Sequence, residues 1–232
     1  MKDFPPDYWI QEHALDESLW GVAYEDLNSR EVSRLKLCTA RLCALWGERP
    51  LSRSLTLRHA AGFTAKWEWE TAAYALILCP AEQDQAERLL AACLPAILAG
   101  VDMVLPCFLT KGAGRPPAGR MLAALELAGI ERAVLVSEKE ALRGLALLRG
   151  LPGAGRLVFL GPASQAEPFI LAAHRLSLPC LAPAGAEPCL ALDEAHAGIW
   201  VWPDLSPEWF CRRRLSLAWC AEKDGTAGGG AP

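Results

Sequence analysis

The sequence predicts a three-layer α/β domain, a mostly parallel sheet between helices, preceded by an N-terminal helical arm. Three observations predict it. From residue 71 onward, short runs rich in Val, Leu and Ile alternate with longer helical patterns. Those runs lack polar alternation, as strands buried on both faces do. Gly100, Gly129 and Gly150 stand where helices should stop, in positions suited to left-handed caps. Strand and helix alternating at this spacing call for parallel strands joined by crossover helices.

In chain order, residues 1–69 are expected to form the arm, 70–221 the α/β domain and 222–232 a disordered tail. Residues 1–20 are polar with scattered Trp and Pro. Asn28 followed by Glu31 has the spacing of a capping box. Val32, Leu35, Cys38, Leu42 and Leu45 then recur at helical spacing, which gives a helix over 29–46 that Gly47 and Pro50 end. Strands are expected at 72–79, 101–109, 132–137, 156–161, 178–182, 188–192 and 198–202. Helices are expected near 81–99, 117–129, 138–149, 164–176 and 206–220. Pro95 should kink or break the first of these. The closing stretch DGTAGGGAP has no periodicity.

The chain has 232 residues, 52% hydrophobic and 22% charged, which allows one large domain or a domain with an appendage. Its 23 Lys+Arg against 27 Asp+Glu give a net charge of −4, which argues against a nucleic-acid or anionic-membrane partner. The one dense basic run, Arg212 to Arg214, reads as the solvated face of the last helix. The 9 Cys are odd in number, lie mostly in apolar runs and form no CxxC or CxxH pair, so neither a zinc site nor a disulfide framework is expected. The N-terminus MKDFPPDYWIQEH lacks the pattern of a signal peptide, and the apolar stretches are too short or interrupted to span a bilayer. A reducing cytoplasm is the expected compartment.

In a parallel sheet, ligands bind at the carboxyl ends of the strands. Two turns there carry the candidate site. The first, Thr110-Lys111-Gly112-Ala113-Gly114-Arg115-Pro116-Pro117-Ala118-Gly119, comes near a phosphate loop, because Gly114 and Gly119 have its glycine spacing. Arg120 and Met121 stand where Lys and Ser/Thr belong, and Pro116 and Pro117 remove two N–H donors. The turn is therefore read as a flexible loop offering Thr110, Lys111, Gly112 and Arg115. The second turn is Gly161-Pro162-Ala163-Ser164. Gly161 and Pro162 would let a ligand approach the backbone and Ser164 would cap the helix, or the segment is simply a tight turn. Asp193-Glu194-Ala195-His196 spells a helicase string but is read as a chance match on a surface turn, a metal pair from Asp193 and His196 being the weaker alternative. His13, His59 and His174 lack neighbours that suggest a triad. The Trp residues crowd both ends of the chain, where most should pack onto the sheet and one or two should serve a subunit contact.

The order of the segments LLAACLPAILAGVDMVLPC, MLAALELAGIERAVLVSEKEALRGLAL, RLVFLGPASQAEPFILAAHRL and PAGAEPCLAL resembles the nucleotide-binding half of histidinol dehydrogenases. The stretch from residue 155 is also similar to the coenzyme domain of the wider aldehyde dehydrogenase superfamily. The resemblance covers about residues 70–200. It implies a Rossmann-like fold of the aldehyde dehydrogenase type and makes NAD or NADP the candidate cofactor, with no intact motif behind it. It carries over no catalytic residue. The aldehyde dehydrogenase general base falls at Ala182, and the Lys that holds the cofactor ribose falls at Pro106 or Cys107. No nucleophile motif surrounds Cys211 or Cys220, and the histidinol dehydrogenase zinc ligands have no match, so no metal is expected. The function expected is a stand-alone, degenerate coenzyme-type domain without dehydrogenase activity, binding a nucleotide-like or anionic small molecule. The alternative is one subunit of a split NAD(P)-dependent dehydrogenase whose catalytic residues come from another chain. A homo-oligomer, most simply a two-fold dimer, is expected because a lone coenzyme domain would leave an apolar surface bare.

Overall fold

The computed structural model describes residues 6–47, 53–111, 115–182, 201–202 and 204–219. The central sheet holds five parallel strands: β3 (Tyr74–Pro80), β4 (Met103–Thr110), β5 (Val134–Ser137), β6 (Gly155–Phe159) and β7 (Cys180–Leu181). Their order across the sheet is β5-β4-β3-β6-β7. The crossover helices are α4 (Ala86–Ala99), α5 (Gly119–Leu127), α6 (Glu138–Leu148) and α7 (Ala163–Arg175).

Strand β3 shows why the sequence lacks polar alternation. Every residue from Tyr74 to Pro80 is buried. Ala75, Ile77 and Cys79 enter a core with α4, α5 and α3 (Ser29–Trp46), while Tyr74, Leu76 and Leu78 enter a second core with α6, α7 and α1 (Pro6–His13). One strand therefore feeds two cores, as the middle layer of three must.

The helix signals have clear structural counterparts. Asn28 and Glu31 make the reciprocal capping box of α3, Glu31 N–H donating to Asn28 Oδ1 at 2.9 Å and Asn28 N–H to Glu31 Oε2 at 3.2 Å. Gly100 (φ 79) and Gly129 (φ 77) adopt the left-handed conformation at the ends of α4 and α5. After α6 the left-handed glycine is Gly153, not Gly150, because a turn over 149–153 intervenes before β6. Helix α4 runs through Pro95 without ending.

Three expectations are corrected. The run 206–220 is not a helix. After a 3-10 turn at Pro207–Phe210 it forms strand β8 (Cys211–Trp219), paired antiparallel with β2 (Phe63–Thr71). The arm 1–69 is helical only through Trp46; α2 (Glu17–Glu25) lies between α1 and α3, and β1 (Arg53–Arg58) and β2 join β8 in a second, three-stranded sheet of order β1-β2-β8. In RSLTLR, FTAKWEWET and LSLAW the side chains alternate with period two, a strand signal that outweighs the helical spacing of the charges. Ser164 does not cap α7; Pro162 holds the N-cap position and offers no side-chain acceptor. The runs 188–192 and 198–200, Asp193 and His196, Gly112 and the tail 222–232 lie outside the described residues. Val201 and Trp202 are buried outside any strand, and Trp202 Nε1 donates to the Arg88 carbonyl at 3.3 Å.

The arm also closes an edge. Leu15 N–H donates to the Ala133 carbonyl at 2.9 Å, and Ala14 bridges Val134 antiparallel, so the outer side of β5 is covered. No helix among the described residues is long and apolar enough to cross a membrane.

Candidate functional site

Strands β4 and β5 lie on one side of β3, and β6 and β7 on the other. Taken in chain order, this is the 3-2-1-4-5 arrangement of a Rossmann sheet, with its switch point between β3 and β6. The carboxyl ends of β3, β4 and β6 therefore frame the candidate site.

At the β4 side, Thr110, Lys111 and Arg115 line a cavity of about 540 Å³ together with Ala81, Glu82, Asp84 and the Pro116–Gly119 turn. The structure thus brings three of the residues singled out in the first turn into one concave surface. Lys111 and Arg115 are exposed and face two carboxylates from the turn after β3. Gly161, Pro162 and Ser164 do not line this cavity. A Cβ on Gly161 would stand 2.6 Å from the Phe159 ring and 2.9 Å from Pro80 Cγ, so its lack of a side chain serves packing of a tight turn.

The sequence reading overlooked the turn between β3 and α4, Glu82-Gln83-Asp84-Gln85. This first βα turn occupies the position of a glycine-rich phosphate loop, yet contains no glycine. Gln83 spans the switch point: its Nε2 donates to the Leu160 carbonyl at 3.1 Å, and its Oε1 lies 3.5 Å from Cys79 Sγ. Glu87, in the first turn of α4, is 3% exposed. Arg34 Nε reaches it at 2.8 Å and Arg120 Nη2 at 3.1 Å, while Arg120 Nε lies 3.6 Å from Asp84. The α4 N-terminus, the place a fold of this kind offers to a pyrophosphate, is thus surrounded by the protein's own carboxylates. These residues do not fit the phosphates of NAD or NADP. The signal was available as the acidic string AEQDQAE directly after an apolar strand.

Burial holds four of the described thiols protonated. Burial pushes Cys79 up to about 12 and Cys180 up to about 11, and raises Cys93 and Cys107 further. A thiol held protonated is a poor nucleophile and metal ligand. Among the described residues, no group of three or more His, Cys, Asp or Glu is placed to hold a metal ion.

No family model matches the sequence, and no curated protein does. Solved structures do match. Histidinol dehydrogenase from Elizabethkingia anophelis aligns with a TM-score of 0.61 at 12% identity, over 75% of this chain and 42% of that one. A succinic semialdehyde dehydrogenase from Streptococcus pyogenes, in complex with NADP+, aligns at 0.48 and 10% identity over 78% and 41%. A salicylaldehyde dehydrogenase from Pseudomonas putida G7 aligns at 0.44 and 13% identity over 78% and 44%. The chain spans less than half the length of each of these structures. The α/β architecture anticipated from the order of its segments, a Rossmann-like domain of the histidinol dehydrogenase type, is the fold this chain has.

Proposed function

We propose that the protein is a coenzyme-domain-like binding module that holds a small anionic, nucleotide-like molecule at the β3–β4 end of the sheet and does not itself transfer hydride. The observation that carries this reading is the cavity at the carboxyl edge, where Lys111 and Arg115 converge with Thr110 on a surface of about 540 Å³. That volume lies within the ~300–1,000 Å³ of small-molecule sites. Glu82 and Asp84 on the opposite wall suit the hydroxyl and amino groups of a sugar or base better than further phosphates. The raised titration of Cys79 and Cys180 disfavours these two thiols as nucleophiles.

A thermal-shift panel with NAD, NADP, CoA and mononucleotides tests the proposal. A ligand at 100 times its dissociation constant adds about 2.7 kcal/mol of stability. A mononucleotide should stabilise the protein, and the shift should vanish in Lys111→Ala and Arg115→Ala. No shift from any member overturns the reading. NAD-dependent oxidation of histidinol or an aldehyde by the chain alone would also overturn it.

We infer, in addition, a homodimer. Leu55 and Leu57 of β1, Phe63 and Trp67 of β2, and Leu215, Leu217 and Trp219 of β8 share one face of the second sheet by their register. Leu217 is 64% and Trp219 79% exposed. A three-stranded sheet needs its apolar face covered to be stable. Three strands of nine residues or fewer give a flat footprint of about 400 Å². Two such faces together give about 800 Å² of flat area, in the range of weak, reversible association. A second copy supplies a face of matching shape and apolar character.

A further inference from the structure

A second cavity lies at the opposite, amino-terminal edge of the sheet. It measures about 470 Å³ and is lined by Arg149, Arg156, Arg212 and Arg213, with Gly155 and Ser177 but no carboxylate among the other described residues. Arg156 is 6% exposed. It donates to the carbonyls of Trp209 at 2.8 Å, Gly155 at 3.0 Å and Cys211 at 2.6 Å. Arg149 Nε donates to the Leu176 carbonyl at 2.9 Å, and Arg213 stacks on the Trp67 ring at 3.7 Å. Among the described residues, no carboxylate forms an ion pair with Arg149, Arg156 or Arg212. Carbonyl dipoles engage each nitrogen of Arg156 once but supply no counterion, and a buried charge without a counterion is costly. Burial, and further the like charge of Arg212, hold the Arg156 guanidinium below its usual range.

Tyr74 packs against the cavity wall at Gly155. Its hydroxyl is buried and has no hydrogen-bond partner. It occupies the space that a Cβ on Gly155, a cavity-lining residue, would fill. Burial raises its titration, and the charge of Arg149 acts against that. Four arginines thus line one concave surface, with the Tyr74 ring packed behind Gly155 in its wall.

We propose that this cavity is an oxyanion site that takes the phosphate group of a small phosphorylated molecule. Planar guanidiniums match phosphate oxygens bidentately, and a dianion supplies the counter-charge that the described residues leave out. The site lies across the sheet from the Lys111–Arg115 cavity and shares no residue with it.

Titrating inorganic phosphate against the full chain at constant ionic strength, with chloride as the matched salt and acetate as the carboxylate arm, tests it. Phosphate should raise the melting temperature saturably, well beyond chloride and beyond acetate. Arg212→Gln, at an exposed position, should weaken phosphate binding by about tenfold, the loss of one charge-assisted contact. Without phosphate, the same variant should be at least as stable as the parent, because a like charge beside Arg156 is gone. Arg115→Ala should leave the phosphate response unchanged, which separates this site from the other. Should Arg212→Gln fail to fold, Arg149→Gln replaces it. Equal stabilisation by phosphate and chloride overturns the proposal, as does a phosphate response unchanged in both variants. A larger response to acetate than to phosphate overturns the choice of phosphate.

Discussion

The indole of Trp9, 1% exposed, rests directly against Gly144 in the middle of α6. A Cβ at that position would overlap the indole ring. The glycine that a helix would ordinarily avoid is here the seat for the arm. Gly144→Ala should gain about 1 kcal/mol of helix propensity and lose about 1–3 kcal/mol to overpacking, a net destabilisation. Denaturant unfolding monitored by far-ultraviolet dichroism measures it; a variant more stable than the parent would show that the arm does not dock there.

Glu87 ties three helices together. It is buried at the start of α4, with Arg34 of α3 and Arg120 of α5 on its carboxylate. Glu87→Gln should cost about 1–3 kcal/mol, because it keeps the shape and removes the charge-assisted bonds. Arg34→Ala should cost less, since Arg34 is 57% exposed and Arg120 remains on the carboxylate. Equal losses from both changes would mean that Arg34, not the buried carboxylate, carries the junction.

Alkaline stability has a sign set by the thiols. Burial raises Cys79 to about 12 and Cys180 to about 11 from an ordinary 9.0. Above that ordinary value the unfolded chain loses these protons while the folded protein keeps them, so stability falls as pH rises. The contribution is complete below pH 9.0 and is lost on the way to pH 11–12. Melting temperatures between about pH 8.5 and 10.5 should therefore decline. Cys180→Ala should flatten part of that decline, and an unchanged slope in the variant would refute the assignment.

The proposed homodimer makes a mass prediction. Light scattering behind size exclusion at micromolar concentration should give about twice the chain mass of 25.1 kDa. Leu217→Glu, at a position 64% exposed, should return the protein to 25.1 kDa without lowering its melting temperature by more than the lost contact requires. A parent protein at 25.1 kDa throughout would make the sheet face something other than a self-contact.

The parts of this fold written plainly in the sequence are those governed by local rules. Asn28 and Glu31 announce their capping box because the two partners are three residues apart. The strands of the central sheet are legible because burial on both faces forces an unbroken apolar run, as from Tyr74 to Pro80. Strand β8 was hidden because Arg212, Arg213 and Arg214 suggest a solvated helix, and its partner β2 lies 140 or more residues earlier in the chain. The site was legible in halves. Lys111 and Arg115 stand out as cations in a loop, but the carboxylates facing them reach the cavity only through the pairing of β3 with β4. The four arginines of the second cavity come from three separate segments, and no spacing rule links them.

The docking of the arm onto residues 133–144 also sets an order of events during synthesis. The first helices leave the ribosome before the strand edge and the glycine seat that receive them exist. At ~5–20 residues per second, Trp9 waits on the order of ten seconds for its seat. Strand β2 waits longer still for β8. During that interval Trp67 and Trp69 lack the Arg213 that covers them in the finished protein. Nascent chains stalled short of residue 211 therefore lack the strand that pairs with β2 and the arginine that covers its tryptophans.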